Sequence, residues 1–274
     1  MRLTAVILAF LATTGAALAA PQLVEMSEGS TKLTGYLYRP DGDGPFPAVV
    51  ALHGCGGLSG RSGPVSVRYR DWGERLAAAG FAVLFPDSFG SRELASQCTV
   101  QARSVRTARE RVADAVAARH WLQRQSWVVA DRISLLGWQN GAVAALWTIR
   151  RRGRDGEEGA PDFRSAVALY PGCRRLVQTE WSARVPTLVL VGAADDWAPA
   201  TACEQMVAGA RGRSAQTKIV VYPGAYADFD HPDRPMRQLT NLAFSADGSG
   251  RAHSGTNPAA RADAIKRVPE WLAR

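Results

Sequence analysis

The stretch Ile133-Ser134-Leu135-Leu136-Gly137-Trp138-Gln139-Asn140-Gly141 (ISLLGWQNG) decides how this chain is read. A short, largely apolar run enters a Gly-x-x-x-Gly turn, and residues 142–152 beyond it have helix-forming composition. A strand that turns so sharply into a helix is the frame of a nucleophile elbow: the flanking glycines permit close packing of strand on helix, and the central residue stands at a strained tip. That central residue is Gln139. A carboxamide has no ionisable proton and little nucleophilicity, so Gln139 cannot form an acyl-enzyme.

Outward from the elbow the same alternation repeats. Residues 48–52, 82–85, 133–136, 166–169, 187–191 and 219–222 read as buried strands, and 69–79, 105–124, 142–152 and 202–211 read as helices between them. Alternating units of this kind predict a single α/β domain over 20–274, with a doubly wound, mainly parallel sheet and helices on both faces. Residues 33–39 alternate polar and apolar, which fits an antiparallel edge hairpin with the segment near Leu23. Asn257-Pro258 starts a final helix, within which Pro269 is expected to introduce a bend.

The N-terminus is read as a leader. Met1-Arg2 is positive, residues 5–12 (AVILAFLA) are apolar but too few to span a bilayer, and Ala17-Leu18-Ala19 offers small residues for cleavage after Ala19. Export to the periplasm or the medium is the expectation, with no membrane attachment of the mature chain. All but three of the 33 basic residues are arginine, and the formal charge is +8. The densest run, Arg150-Arg151-Arg152 with Arg154, is followed at once by Asp155, Glu157 and Glu158. A solvated helix end explains it better than a nucleic-acid partner does. Four cysteines, Cys55, Cys98, Cys173 and Cys203, allow three connectivities in a chain bound for an oxidising compartment, and four buried thiols are the competing reading.

In a doubly wound sheet, functional groups sit on loops beyond the carboxyl ends of the strands. One such loop is His53-Gly54-Cys55-Gly56-Gly57, whose glycines let backbone N–H groups approach a developing negative charge. With PDSFG (86–90), GWxNG (137–141), YPGC (170–173), GAADDWAP (192–199) and YPGAYxDFDHP (222–232), this HGCGG segment makes six motifs in order. Through them the chain resembles the dienelactone hydrolase family, in its exported serine-type branch.

The resemblance implies hydrolysis of esters or lactones by a nucleophile, a His and an acid. The nucleophile falls on Gln139, the acid on Asp195 and the His on Ala227. Two of the three roles therefore lack a competent side chain. The oxyanion donors fall on the backbone N–H groups of Cys55 and Asn140, and the substrate contacts on Arg92 and Trp138. Arg92 could equally pair with a nearby acid. The same layout brings Cys55 to Cys98 and Cys173 to Cys203. Arg111 and Asp114 read as a helix-face ion pair. His53 is read as ordering its loop, His120 as lying on a helix and His253 as lying in a polar loop. Asp228, Asp230, His231 and Asp233 match no metal-ligand spacing and read as a solvated turn. No metal and no cofactor is assigned.

Three functions follow as alternatives. The first is a hydrolase scaffold that has lost hydrolysis and at most binds a small ester- or lactone-like ligand. The second is a hydrolase with a relocated nucleophile or with His231 as base. The third is a secreted interaction protein with an arginine-rich surface. The elbow favours the first: a side chain there carries about 1–3 kcal/mol of backbone strain that is useful only with a nucleophile, so Gln139 is expected to gain nothing chemical from it.

Overall fold

The computed structural model describes residues 20–28, 31–61, 63–151 and 160–274. The expected leader and the segment from Arg152 to Glu158 lie outside them. Strands β1 (Gln22–Glu28), β2 (Thr31–Tyr38), β3 (Phe46–Leu52), β4 (Ala82–Pro86), β5 (Val128–Trp138), β6 (Ala166–Leu169), β7 (Thr187–Gly192) and β8 (Thr217–Tyr222) form one sheet in the order β1-β2-β4-β3-β5-β6-β7-β8. The β1–β2 hairpin is antiparallel at the edge, β2 runs antiparallel to β4, and from β4 to β8 every pairing is parallel.

Burial on both faces explains why these strands are nearly continuous apolar runs. Along β3, Ala48, Val50 and Leu52 face one core and Val49 and Ala51 the other. The first core is covered by α2 (Glu110–Gln123), α3 (Asn140–Thr148) and α5 (Ala200–Gly209), the second by α1 (Val67–Ala78) and α6 (Pro258–Leu272). A short helix, α4 (Arg174–Gln178), follows β6. The sheet is the doubly wound α/β architecture expected from the sequence. β3 has β4 on one side and β5 on the other, so the chain reverses its winding there, the point at which doubly wound sheets place ligands beyond the carboxyl ends of the strands.

Two helices are shorter than expected. α2 begins at Glu110 because the Glu110 carboxylate reaches back to the Arg106 N–H (2.9 Å) and guanidinium, holding 106–109 as a turn. α3 ends at Thr148 because the Arg184 guanidinium takes up the Thr148 carbonyl (2.6 Å), a cap on an otherwise orphaned acceptor. α6 starts as anticipated, with Asn257 accepting from the Ala260 N–H (3.0 Å) and Pro258 in its first turn.

The sequence had no periodic signal for the small hairpin of β9 (Arg237–Leu239) and β10 (Ala252–Ser254), a two-stranded sheet separate from the main one. Both disulfides, Cys55–Cys98 and Cys173–Cys203, are present.

Candidate active site

The elbow is built from glycine outward. A Cβ on Gly137 would stand 2.5 Å from the Gly141 carbonyl oxygen, and one on Gly141 would stand 2.0 Å from that of Leu52. Neither position admits a side chain, so β5, α3 and β3 pack through bare backbone there. The tip residue, Gln139, is held at φ 50° and ψ −110°, a left-handed conformation that costs a non-glycine residue about 1–3 kcal/mol.

The side chain at that tip is not idle, although nothing chemical was expected of it. Its Oε1 accepts the Cys55 N–H at 2.8 Å and the Asn140 N–H at 2.7 Å. These are the two donors assigned to an oxyanion, and both are spent on the protein's own carboxamide. Two such bonds contribute about 0.5–1.5 kcal/mol each, enough to offset much of the strain. The neighbouring Gly54 N–H is also occupied, by the Tyr69 hydroxyl at 2.7 Å. The Cys55–Cys98 disulfide and the Gln97 N–H on the Cys55 carbonyl (2.8 Å) fix this loop against the segment after β4.

Asp195 follows β7. Its Oδ1 accepts the Trp197 and Ala198 N–H groups, each at 2.9 Å, while its buried Oδ2 has no hydrogen-bond partner among the described residues. Burial pushes this carboxyl up to about 7, against the two backbone bonds and with help from Asp196 and Asp228. Ala227 is buried and bridged to Ser254, whose hydroxyl is likewise buried and unpartnered among the described residues. A methyl can donate nothing to either oxygen.

His231 is committed elsewhere. Its Nδ1 accepts the Asp233 N–H at 3.1 Å and its carbonyl accepts the Thr256 hydroxyl at 2.8 Å. Burial, reinforced by Arg234 and Arg68, pulls its imidazole down to about 4.

Asp228, Asp230 and His231 of the Asp-rich turn are buried and bonded, not solvated as the sequence suggested, and only Asp233 is exposed. Asp230 accepts the indole N–H groups of Trp72 and Trp138 at 2.7 Å each, and the Tyr170 hydroxyl at 2.6 Å. Asp228 is clamped between Arg68 and Arg234. Its burial, which alone would raise it, is outweighed by these two guanidiniums, and it falls to about 2. The turn is thus a rigid floor that ties α1 to the elbow strand. The cue available in the sequence was the pair of tryptophans, since a buried indole requires an acceptor.

Two assigned ligand contacts are corrected. Strand parity directs Trp138, like Leu136, toward α1, where it is fully buried against Tyr69, Trp72 and Phe85 and presents no face to a ligand. Arg92 makes a two-pronged pair with Asp114 at 2.7 and 2.9 Å. Asp114 is therefore hydrogen-bonded to Arg92 and reaches Arg111 only as a nearby charge. Arg111 instead donates to the Asn140 side chain at 2.7 Å, lies over the Phe89 ring, and is drawn down to about 10 by burial. His253, read as a loop residue, pairs with Asp196 at 2.7 Å. The groove between β8 and α6, lined by Lys218, Val220, Arg267 and Trp271, lies toward the amino ends of the strands, away from the elbow.

A mainly parallel sheet with an elbow after β5, an acid after β7 and a glycine loop after β3 is the α/β-hydrolase fold. The structure superposes on a proposed dienelactone hydrolase of Klebsiella pneumoniae with a TM-score of 0.68, over 93% of this chain and 98% of that one, at 21% identity. It superposes on esterase 2 of Thermogutta terrifontis, phosphoramylated by tabun, with a TM-score of 0.64 over 94% and 95%, at 16% identity. An uncharacterized protein of Mycobacterium tuberculosis is 28% identical over 219 residues, 74% of this chain and 70% of that one. The family model for dienelactone hydrolases matches residues 33–274, and this chain belongs to the dienelactone hydrolase family.

Proposed function

We propose that this protein keeps the hydrolase scaffold of its family but no longer hydrolyses esters or lactones, and at most holds a small ester- or lactone-like molecule in the ancestral crevice. One observation carries the reading: the Gln139 carboxamide oxygen takes both the Cys55 and the Asn140 N–H. A substrate carbonyl would have to displace an intramolecular acceptor to reach those donors, and would then meet no nucleophile. Nucleophile and base act as a unit, and loss of either costs about 10⁶-fold in turnover. His231, bonded to the Asp233 N–H, offers no support to a relocated dyad. The arginine excess is partly internal, in Arg68, Arg111 and Arg119, which weakens the case for a basic docking surface. The two disulfides support folding in an oxidising compartment and hence export.

The test compares the protein with Gln139→Ser, Ala227→His and the double variant on short aryl esters and on lactones. Turnover in the double variant alone is the expected result. Enzyme-like rates in the unaltered protein, abolished by His231→Ala, would replace this reading with the relocated dyad.

A further inference from the structure

The chain between the Asp-rich turn and α6 does more than connect them. On one side the Ala243 N–H donates to the Cys98 carbonyl at 2.9 Å, beside the disulfide that anchors the glycine loop after β3. On the other, the Ala246 N–H donates to the Asp196 carbonyl at 3.1 Å, next to Asp195. The Gly255 N–H then closes on the Ala227 carbonyl at 3.0 Å. Cys98 is tied to the loop after β3 and Asp196 follows β7, with β5 and β6 between them in the sheet. The segment therefore bridges the loop after β4 and the loop after β7 on the carboxyl side of the sheet.

Its internal packing is slight. Leu242 and Ala252 are its buried apolar anchors, while Met236 and Phe244 are half exposed. Few buried contacts and exposed hydrogen bonds mark a segment that opens at low free energy. Besides those backbone bonds and the Arg174 guanidinium on the Ala246 carbonyl (2.7 Å), it is held by a two-point latch: the Asp196 carboxylate accepts the His253 backbone N–H at 2.7 Å and pairs with its Nδ1 at 2.7 Å. Neither side chain is buried.

We propose that residues 236–252 form a hinged strap, closed in this structure and latched by Asp196 and His253, whose opening gates entry to the Gln139 crevice. The proposal concerns access and rests on the crevice being the ligand site; it does not require the triad to be inactive. The test reads amide exchange of the strap, and alkylation of a Gln139→Cys thiol by a bulky maleimide, after mass analysis confirms that Cys55–Cys98 is intact. Asp196→Ala removes both latch bonds and should speed strap exchange and alkylation about tenfold or more. His253→Ala removes one bond and should fall between. Asp196→Asn keeps an acceptor for the His253 N–H and should stay near the parent. Exchange in β5 and β6 should not change. Strap exchange and alkylation that ignore the latch variants overturn the proposal, as does a rise matched by equal loss of protection in β5 and β6, which would mean global unfolding. Turnover assays play no part, so hydrolytic activity in the parent would sink the proposed loss of function and leave the strap standing.

Discussion

Replacing Gln139 by alanine should destabilise the fold, and replacing it by glycine should destabilise it less. In Gln139→Ala the Cys55 and Asn140 N–H groups lose their acceptor while the backbone stays at φ 50°. Gln139 is partly exposed, so water can reach the freed donors and the loss is that of two exchanged hydrogen bonds, about 1–3 kcal/mol in total. Gln139→Gly loses the same bonds but relieves the strain at the tip, and should be more stable than the alanine variant by roughly 1 kcal/mol. Equilibrium unfolding in urea, with both disulfides kept oxidised, measures the difference. With a slope near 3 kcal/mol/M, a loss of about 2 kcal/mol moves the midpoint down by roughly 0.7 M. An alanine variant with the parent's midpoint, or one more stable than the glycine variant, would refute the claim that the carboxamide occupies the hole and offsets the strain.

Asp195 should leave a signature in the pH profile. An acid raised to about 7 on folding keeps its proton where the unfolded chain has lost it, so its contribution to stability falls as pH climbs from about 4 to about 7, by roughly 4 kcal/mol at most. Asp195→Asn should flatten that part of the curve of urea midpoints. His231 acts in the opposite sense: held neutral down to about 4, it costs stability as pH falls below about 6.5, and NMR titration of its ring should find no protonation above pH 5. Asp228→Ala leaves Arg68 buried without its acid and should cost about 3–5 kcal/mol in thermal or urea unfolding. Removing Cys173–Cys203, which closes a separation of 30 residues, should cost about 3–4 kcal/mol by the chain-entropy estimate.

Much of the fold was legible because its signals are local. Apolar runs of strand length, the glycines at 137 and 141 and the Asn257-Pro258 start each state a backbone requirement within a few residues. Gln139 at the elbow was legible for the same reason, whereas Ala227 stood out only through the resemblance to the family's YPGAYHDFDHP pattern. What the sequence left open involves partners far apart in the chain. Arg92 had a nearby acid and an incoming carboxylate as equal candidates until α2 placed Asp114 beside the turn after β4. The Asp-rich turn read as solvated because nothing local says that Trp72, Trp138 and Tyr170 converge on Asp230.

Chemistry and architecture thus divide at the elbow. Residue types and spacing predicted an α/β sheet with a sharp strand-to-helix turn at Gln139, and the resemblance to the family placed its nucleophile, acid and His on Gln139, Asp195 and Ala227. Only the folded chain decided which groups the Gln139 side chain binds, because its two donors come from the next residue and from one 84 positions away. Hydrogen bonds of that reach depend on where strands lie side by side, and no pattern along the chain encodes the direction in which a carboxamide turns.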